Sequence, residues 1–233
     1  MIEALTSIPF ALDLASLLRR VHAQPDTEDA QTIERLADMA REVARPKVLI
    51  RESYLEERGE NTVRIDGITF TSPMLRANLD KVERVFPFIA TCGHEMDEVS
   101  LPKDEFMAEF WWDAIKAVAL GCATAYMNDY LRTRFLLSKS SSMMPGSADV
   151  DVWPIEQQEQ LFALFGDVKE LIGVELTPSF LMVPNKTISG IHFATETDFR
   201  SCQVCRRENC PSRHAEFDEE LWRSVHQQAR PSN

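Results

Sequence analysis

The chain has 233 residues, 44% of them hydrophobic and 27% charged, the balance of a folded globular protein with room for one large domain or two small ones. Asp and Glu outnumber Lys and Arg by 37 to 25, and a formal charge of −12 repels phosphate backbones and anionic lipid, which argues against a nucleic-acid or membrane-surface partner. No run approaches the ~20 apolar residues of a membrane helix, and Glu3 and Asp13 in an unbasic N-terminus are wrong for a secretory signal, so a cytoplasmic location is expected.

Residues 3–22 and 28–44 carry apolar side chains at helical spacing, Leu14, Leu17, Leu18 and Val21, then Ile33, Leu36, Ala37 and Ala40, and predict two helices broken at AQPD. Residues 1–45 are therefore expected to be an N-terminal helical segment. After Pro46 the alternation in KVLIRESYLEERGENTVRIDGITF predicts a hairpin turning at RGEN. Ser72 before Pro73 predicts a capped helix to about Asp80, and RVFPFIATCG a buried strand opening into a loop at Gly93. Asp104 to Leu137 reads as one long helix with Phe106, Phe110, Ala114, Ala117 and Leu120 on one side and Cys122 among small packing residues.

Ser138–Pro154 has no period and reads as a loop. Pro154 opens a helix expected to end at Gly166, and GVELTPSFLMVPNKTISGIHF predicts two strands joined at Pro184, Asn185 and Lys186. FDEELWRSVHQQ predicts a last amphipathic helix. Strand pairs with helices between and around them, without βαβ alternation or a GxGxxG or Walker sequence, give an α+β class with a twisted antiparallel sheet.

Two stretches resemble a known family. Ile172–Phe193, IGVELTPSFLMVPNKTISGIHF, is similar to the strand segment of the activation (reactivation) domain of cobalamin-dependent methionine synthase, which reads like IG-x-x-LTES-x-x-M-x-P-x-x-SVSG. Ile172, Gly173, Leu176, Thr177, Ser179, Met182, Pro184, Ser189 and Gly190 carry that match. MPGS followed by WPIEQQEQLFALF looks like the proline–glycine loop and helix of stand-alone members.

The resemblance implies an activation-domain-like core over residues 46–200 and a stand-alone factor that binds S-adenosylmethionine beside a corrinoid (cobalamin) protein or a methionine synthase core. A reduced electron donor would return cobalt from Co(II) to Co(I), and the sulfonium methyl would trap it, the protein contributing mainly placement. The family's ligand loop reads like R-x-x-x-GY or R-x-SPGY, its arginine gripping a carboxylate as a planar fork. Here Pro145 and Gly146 match, Ser147 stands at the tyrosine position, and the arginine position falls among Ser141 and Ser142. Pro145, Gly146 and Ser147 are the resulting ligand candidates, with Lys139 as a nearby point charge. Met143, Met144, Trp153 and Phe165 are expected to be core packing around that loop.

Residues 201–233 form a cysteine-containing tail. Cys202, Cys205 and Cys210 give C-x2-C-x4-C followed by Pro211, an odd count that disfavours a disulfide framework and suggests metal ligands. Cys92, in ATCGHE, is the first candidate for a fourth ligand, with His94, His192 and His214 as others. A [4Fe–4S] cluster suits the Cys-Pro ending and a reductive role, and zinc is the alternative, favoured by a histidine ligand. Two further readings stay open: a non-catalytic electron-transfer or corrinoid-protein-binding module with an iron–sulfur cluster, and a zinc-stapled interaction domain. Asp149, Asp151, Glu175 and Glu95 read mainly as solvated charge, and His22 and His226 as surface residues.

Overall fold

A computed structural model describes residues 1–102, 106–148, 152–196, 199–210 and 213–228, with residues 225–228 described as backbone only. The fold is α+β, an antiparallel sheet with helices around it, as the element pattern predicts. At its centre lies strand β6 (Arg84–Thr91), the strand expected from RVFPFIATCG. One edge of β6 pairs first with β2 (Lys47–Arg51) and then with β3 (Ser53–Arg58), in the registers Leu49↔Ile89 and Ser53↔Val85. Pro87 sits where β2 hands over to β3, so its missing N–H falls in a gap of that ladder.

Beyond β3, strands β4 (Thr62–Ile65) and β5 (Ile68–Thr71) complete a meander whose first turn is the expected RGEN. The other edge of β6 pairs with β10 (Thr187–Ala194), and β10 with β7 (Ser140–Met143). β8 (Glu175–Leu176) and β9 (Met182–Val183) pair only with each other among the described residues. The two-strand reading of 173–193 is thereby corrected: the segment before Pro184 is a small separate hairpin, and only β10 enters the main sheet.

Alternation along the central strands makes two cores. Leu49, Val85, Ile89, Ile191 and Phe193 join a cluster with Trp153, Leu161, Phe165 and Ile172. That cluster is capped by α3 (Pro73–Asn78), α5 (Gln158–Ala163) and α6 (Val168–Ile172). Val48, Ile50, Phe86, Phe88 and Ala90 face the opposite way, against Ala123, Met127 and Leu131 of α4 (Ala108–Phe135). The first half of α4 packs through Trp111, Trp112 and Ile115 on α2 (Glu28–Val43), whose Ile33, Leu36 and Ala40 are the residues expected to face inward.

Three further expectations need correcting. Residues 3–22 are not one helix: Ile2–Leu5 form β1, paired with β2, and α1 (Leu14–Arg20) begins only where the Asp13 carboxylate accepts the Ser16 N–H at 3.0 Å. The expected face of α4 is wrong, since Phe106 is 96% and Phe110 55% exposed while both tryptophans are buried. The stretch 138–154 is not loop throughout, because it contains β7. Among the described residues no helix is long and apolar enough to cross a membrane.

Candidate functional site

The ligand-loop candidates lie at the edge of the sheet, where β7 pairs with β10 and no other strand among the described residues. β7 is polar (SSSM) and owes its strand form to that backbone ladder, with Met143 the one fully buried side chain. Gly190 permits it: a Cβ there would meet Met143 O at 2.3 Å and Met144 Cγ at 2.8 Å, so only glycine lets the two chains lie this close. The neighbouring Ser189 is buried and hydrogen-bonds Gln158 Oε1 at 2.5 Å, tying β10 to α5. These contacts give two residues of the TISG match a physical role.

After β7 the chain turns tightly. Ser147 N–H and Oγ both donate to Met144 O, at 3.2 and 2.7 Å, and Gly146 N–H donates to Trp153 O at 2.9 Å. Gly146 has φ of +73°, and a Cβ on it would press on Ile155 at 3.1 Å. Pro145 is buried while Gly146 and Ser147 are exposed, so the turn offers hydroxyl and backbone groups at its surface.

The segment that follows is firmly seated. Trp153 is buried edge-on to Phe70 at 6.0 Å, and Gln157 brackets Thr71, accepting its N–H at 2.8 Å and donating to its carbonyl at 2.5 Å. Met143, Trp153 and Phe165 are core residues as expected, and Met144 is half-buried. Lys139 Nζ donates to Glu196 O at 2.7 Å, on the strand end away from the turn. A groove of about 1030 Å³ runs between α3, the start of β6 and the C-terminal tail. Asn78, Arg84, Leu137, Phe199 and Leu221 line it; Lys139 and the Pro145–Ser147 turn do not.

The tail carries a second cluster of candidates. Phe199 and Val204 are buried in the core beneath the sheet, and Ser201–Val204 forms a 3₁₀ turn whose end closes through Cys205 N–H to Cys202 O at 3.3 Å. Cys202, Cys205 and Cys210 are free and half-buried within this segment. Cys92 belongs elsewhere: it is fully buried beside Ala44, Met96 and Trp112, its Sγ lies 3.5 Å from Gly93 O, and burial pushes its thiol up to about 12. Among the described residues no three His, Cys, Asp or Glu side chains are gathered to hold a metal ion.

The remaining candidates scatter. His94 Nδ1 lies 3.5 Å from Glu95 Oε2, whose other oxygen takes Lys47 Nζ at 2.5 Å. His192 is buried in β10, and burial alone lowers its pKa to about 4, so the imidazole is neutral. Cys122 is half-buried on α4 with Sγ 3.4 Å from Ala11 O. Glu175 pairs with Lys169 at 2.8 Å, and His22 is exposed. Asp149, Asp151 and Pro211 lie outside the described residues, as does the His226 side chain. Sequence reasoning missed Arg213, which donates to four carbonyls of the cysteine segment; its place three residues after Cys210 was the available signal.

No protein-family model and no curated protein matches the chain. Among solved structures, a crystal structure of the MetH reactivation domain bound to AdoHcy is similar, with a TM-score of 0.55 and 15% sequence identity over 86% of this chain and 81% of that one. A likeness at that identity is one of fold.

Proposed function

We propose that this chain is a stand-alone activation factor that binds S-adenosylmethionine at the β7 edge and the Met144–Ser147 turn and supports reductive remethylation of a corrinoid protein. One observation supports this most. β10, which ends the Ile172–Phe193 resemblance, packs through Gly190 against Met143 and Met144, the residues that lead into the Pro145–Gly146 turn, in a fold shared with a domain whose structure holds AdoHcy. Residues 46–200 would form the working core. The residues present fit such a ligand through backbone groups and the exposed Ser147 hydroxyl, without a guanidinium fork on its carboxylate.

When bound, the ligand supplies a methyl group to Co(I) on the partner, leaving as the thioether after a separate donor has delivered one electron. The chain's own share is placement: Gly146 holds the turn open and Gly190 holds β7 against the sheet. Titration calorimetry of the protein with S-adenosylmethionine tests this directly. We expect saturable heat; none at millimolar ligand rejects the reading.

A second reading, a non-catalytic electron-transfer or corrinoid-protein-binding module, is favoured by the serines of β7 and by the engagement of Lys139 with Glu196 O. It predicts silence toward S-adenosylmethionine together with co-purification of the corrinoid partner.

A further inference from the structure

We propose that the C-terminal segment is a structural zinc site of Cys3His type, with Cys202, Cys205, Cys210 and His214 as ligands. The proposal is independent of the ligand reading above. The spacing is C-x2-C-x4-C-x3-H within thirteen residues, and thiolate sulfur with imidazole nitrogen is the donor set that tetrahedral zinc takes.

The segment is already folded as a loop around one side chain. The Arg213 guanidinium donates to the carbonyls of Cys202 and Cys205 at 3.1 Å each, of Arg207 at 2.6 Å and of Ala215 at 3.2 Å. The Arg213 backbone N–H donates to Cys210 O at 3.1 Å. The carbonyls of all three cysteines thus converge on one arginine, which fixes the loop from behind.

A second contact points to the sulfurs. His214 N–H donates to Cys202 Sγ at 3.4 Å, which places the residue bearing the exposed imidazole beside the first thiol. Amide-to-sulfur bonds of this kind hold thiolate ligands in orientation around a metal.

Charge agrees with the assignment. Three thiolates and a neutral imidazole on Zn²⁺ leave one net negative charge. Residues 199–214 carry Arg200, Arg206, Arg207 and Arg213 against the single Glu208, in a chain that is otherwise strongly acidic. The thiols are free and half-buried and not gathered into a metal-holding group, so zinc binding would be coupled to local ordering of the segment. Cys92 lies in another core with its thiol buried and neutral, which leaves His214 as the fourth donor.

Four protein ligands leave no open position, so the ion would hold the tail against the core. Val204 is fully buried there, and Arg206 lies 4.4 Å over the Trp222 ring of α7 (Glu219–Gln228). The test is elemental analysis of the full chain, purified anaerobically without a metal-affinity step, followed by exchange of the bound metal for cobalt(II). We expect one zinc per chain and a cobalt spectrum with thiolate charge-transfer and tetrahedral d–d bands. Cys205→Ser should abolish stoichiometric binding, His214→Ala should weaken it and alter the d–d bands, and Cys122→Ser should change neither. Arg213→Ala, removing a positioning residue, should weaken zinc by about 10- to 100-fold with the ligand bands retained. Circular dichroism checks that each variant keeps its core. Iron with acid-labile sulfide, sub-stoichiometric metal, or an unaltered cobalt spectrum in His214→Ala would each overturn the assignment.

Discussion

His192 sits mid-strand in β10, 6% exposed, paired across the ladder with Phe86 on one side and Ser142 on the other. Its Nδ1 has no hydrogen-bond partner among the described residues, and burial lowers its pKa from 6.5 to about 4. The folded state therefore resists a proton that the unfolded chain accepts below about pH 6.5. Stability contributed by the neutral ring is complete above that value and is lost as pH falls through 4, amounting to about 3 kcal/mol in the acid limit. Denaturant melts from pH 7 to 4 should show this decline, and His192→Leu should flatten it. An unchanged slope in the variant would assign the acid sensitivity to other groups.

At the scale of elements, Gly190 is the position on which the candidate site depends most. An alanine there brings Cβ to 2.3 Å from Met143 O, closer than any real contact, so β7 must move away from β10. Gly190→Ala should cost about 1–3 kcal/mol in chemical denaturation, the range for overpacking, and should abolish heat with S-adenosylmethionine. Retained binding at wild-type affinity would place the ligand away from β7.

The same elements show what the sequence could and could not convey. β6, α2 and α3 were legible because a continuous apolar run, a one-sided apolar stripe and a Ser-Pro cap each belong to a single local structure. β7 was not: three serines have neither alternation nor β-propensity, and the strand exists only because β10 offers a ladder beside a glycine. β1 was hidden likewise, since its partner β2 lies more than forty residues away. The face of α4 was misread because that helix is apolar on several sides, packing on α2 with one half and on the sheet with the other. The candidate site was half-legible: Pro145 and Gly146 fall where a turn is built, while the loop that Arg213 organises needed coordinates.

At the scale of the whole molecule, the −12 charge bears on which ligand the proposed site at the β7 edge would favour. S-adenosylmethionine at neutral pH carries a sulfonium, an ammonium and one carboxylate, a net charge of +1, whereas its demethylated product is a neutral zwitterion. An acidic protein attracts the first and is indifferent to the second, and no arginine in β7 opposes that attraction. The preference comes from many charges at a distance, so salt must screen it, with a Debye length falling from about 10 Å at 0.1 M to about 3 Å at 1 M. Raising ionic strength over that range should weaken S-adenosylmethionine several-fold and leave S-adenosylhomocysteine nearly unchanged, measured by calorimetry on the same sample. Equal responses of the two ligands would mean that recognition rests on contacts they share, the adenosyl and carboxylate ends, and that the protein's field plays no part in favouring the methyl donor over its product.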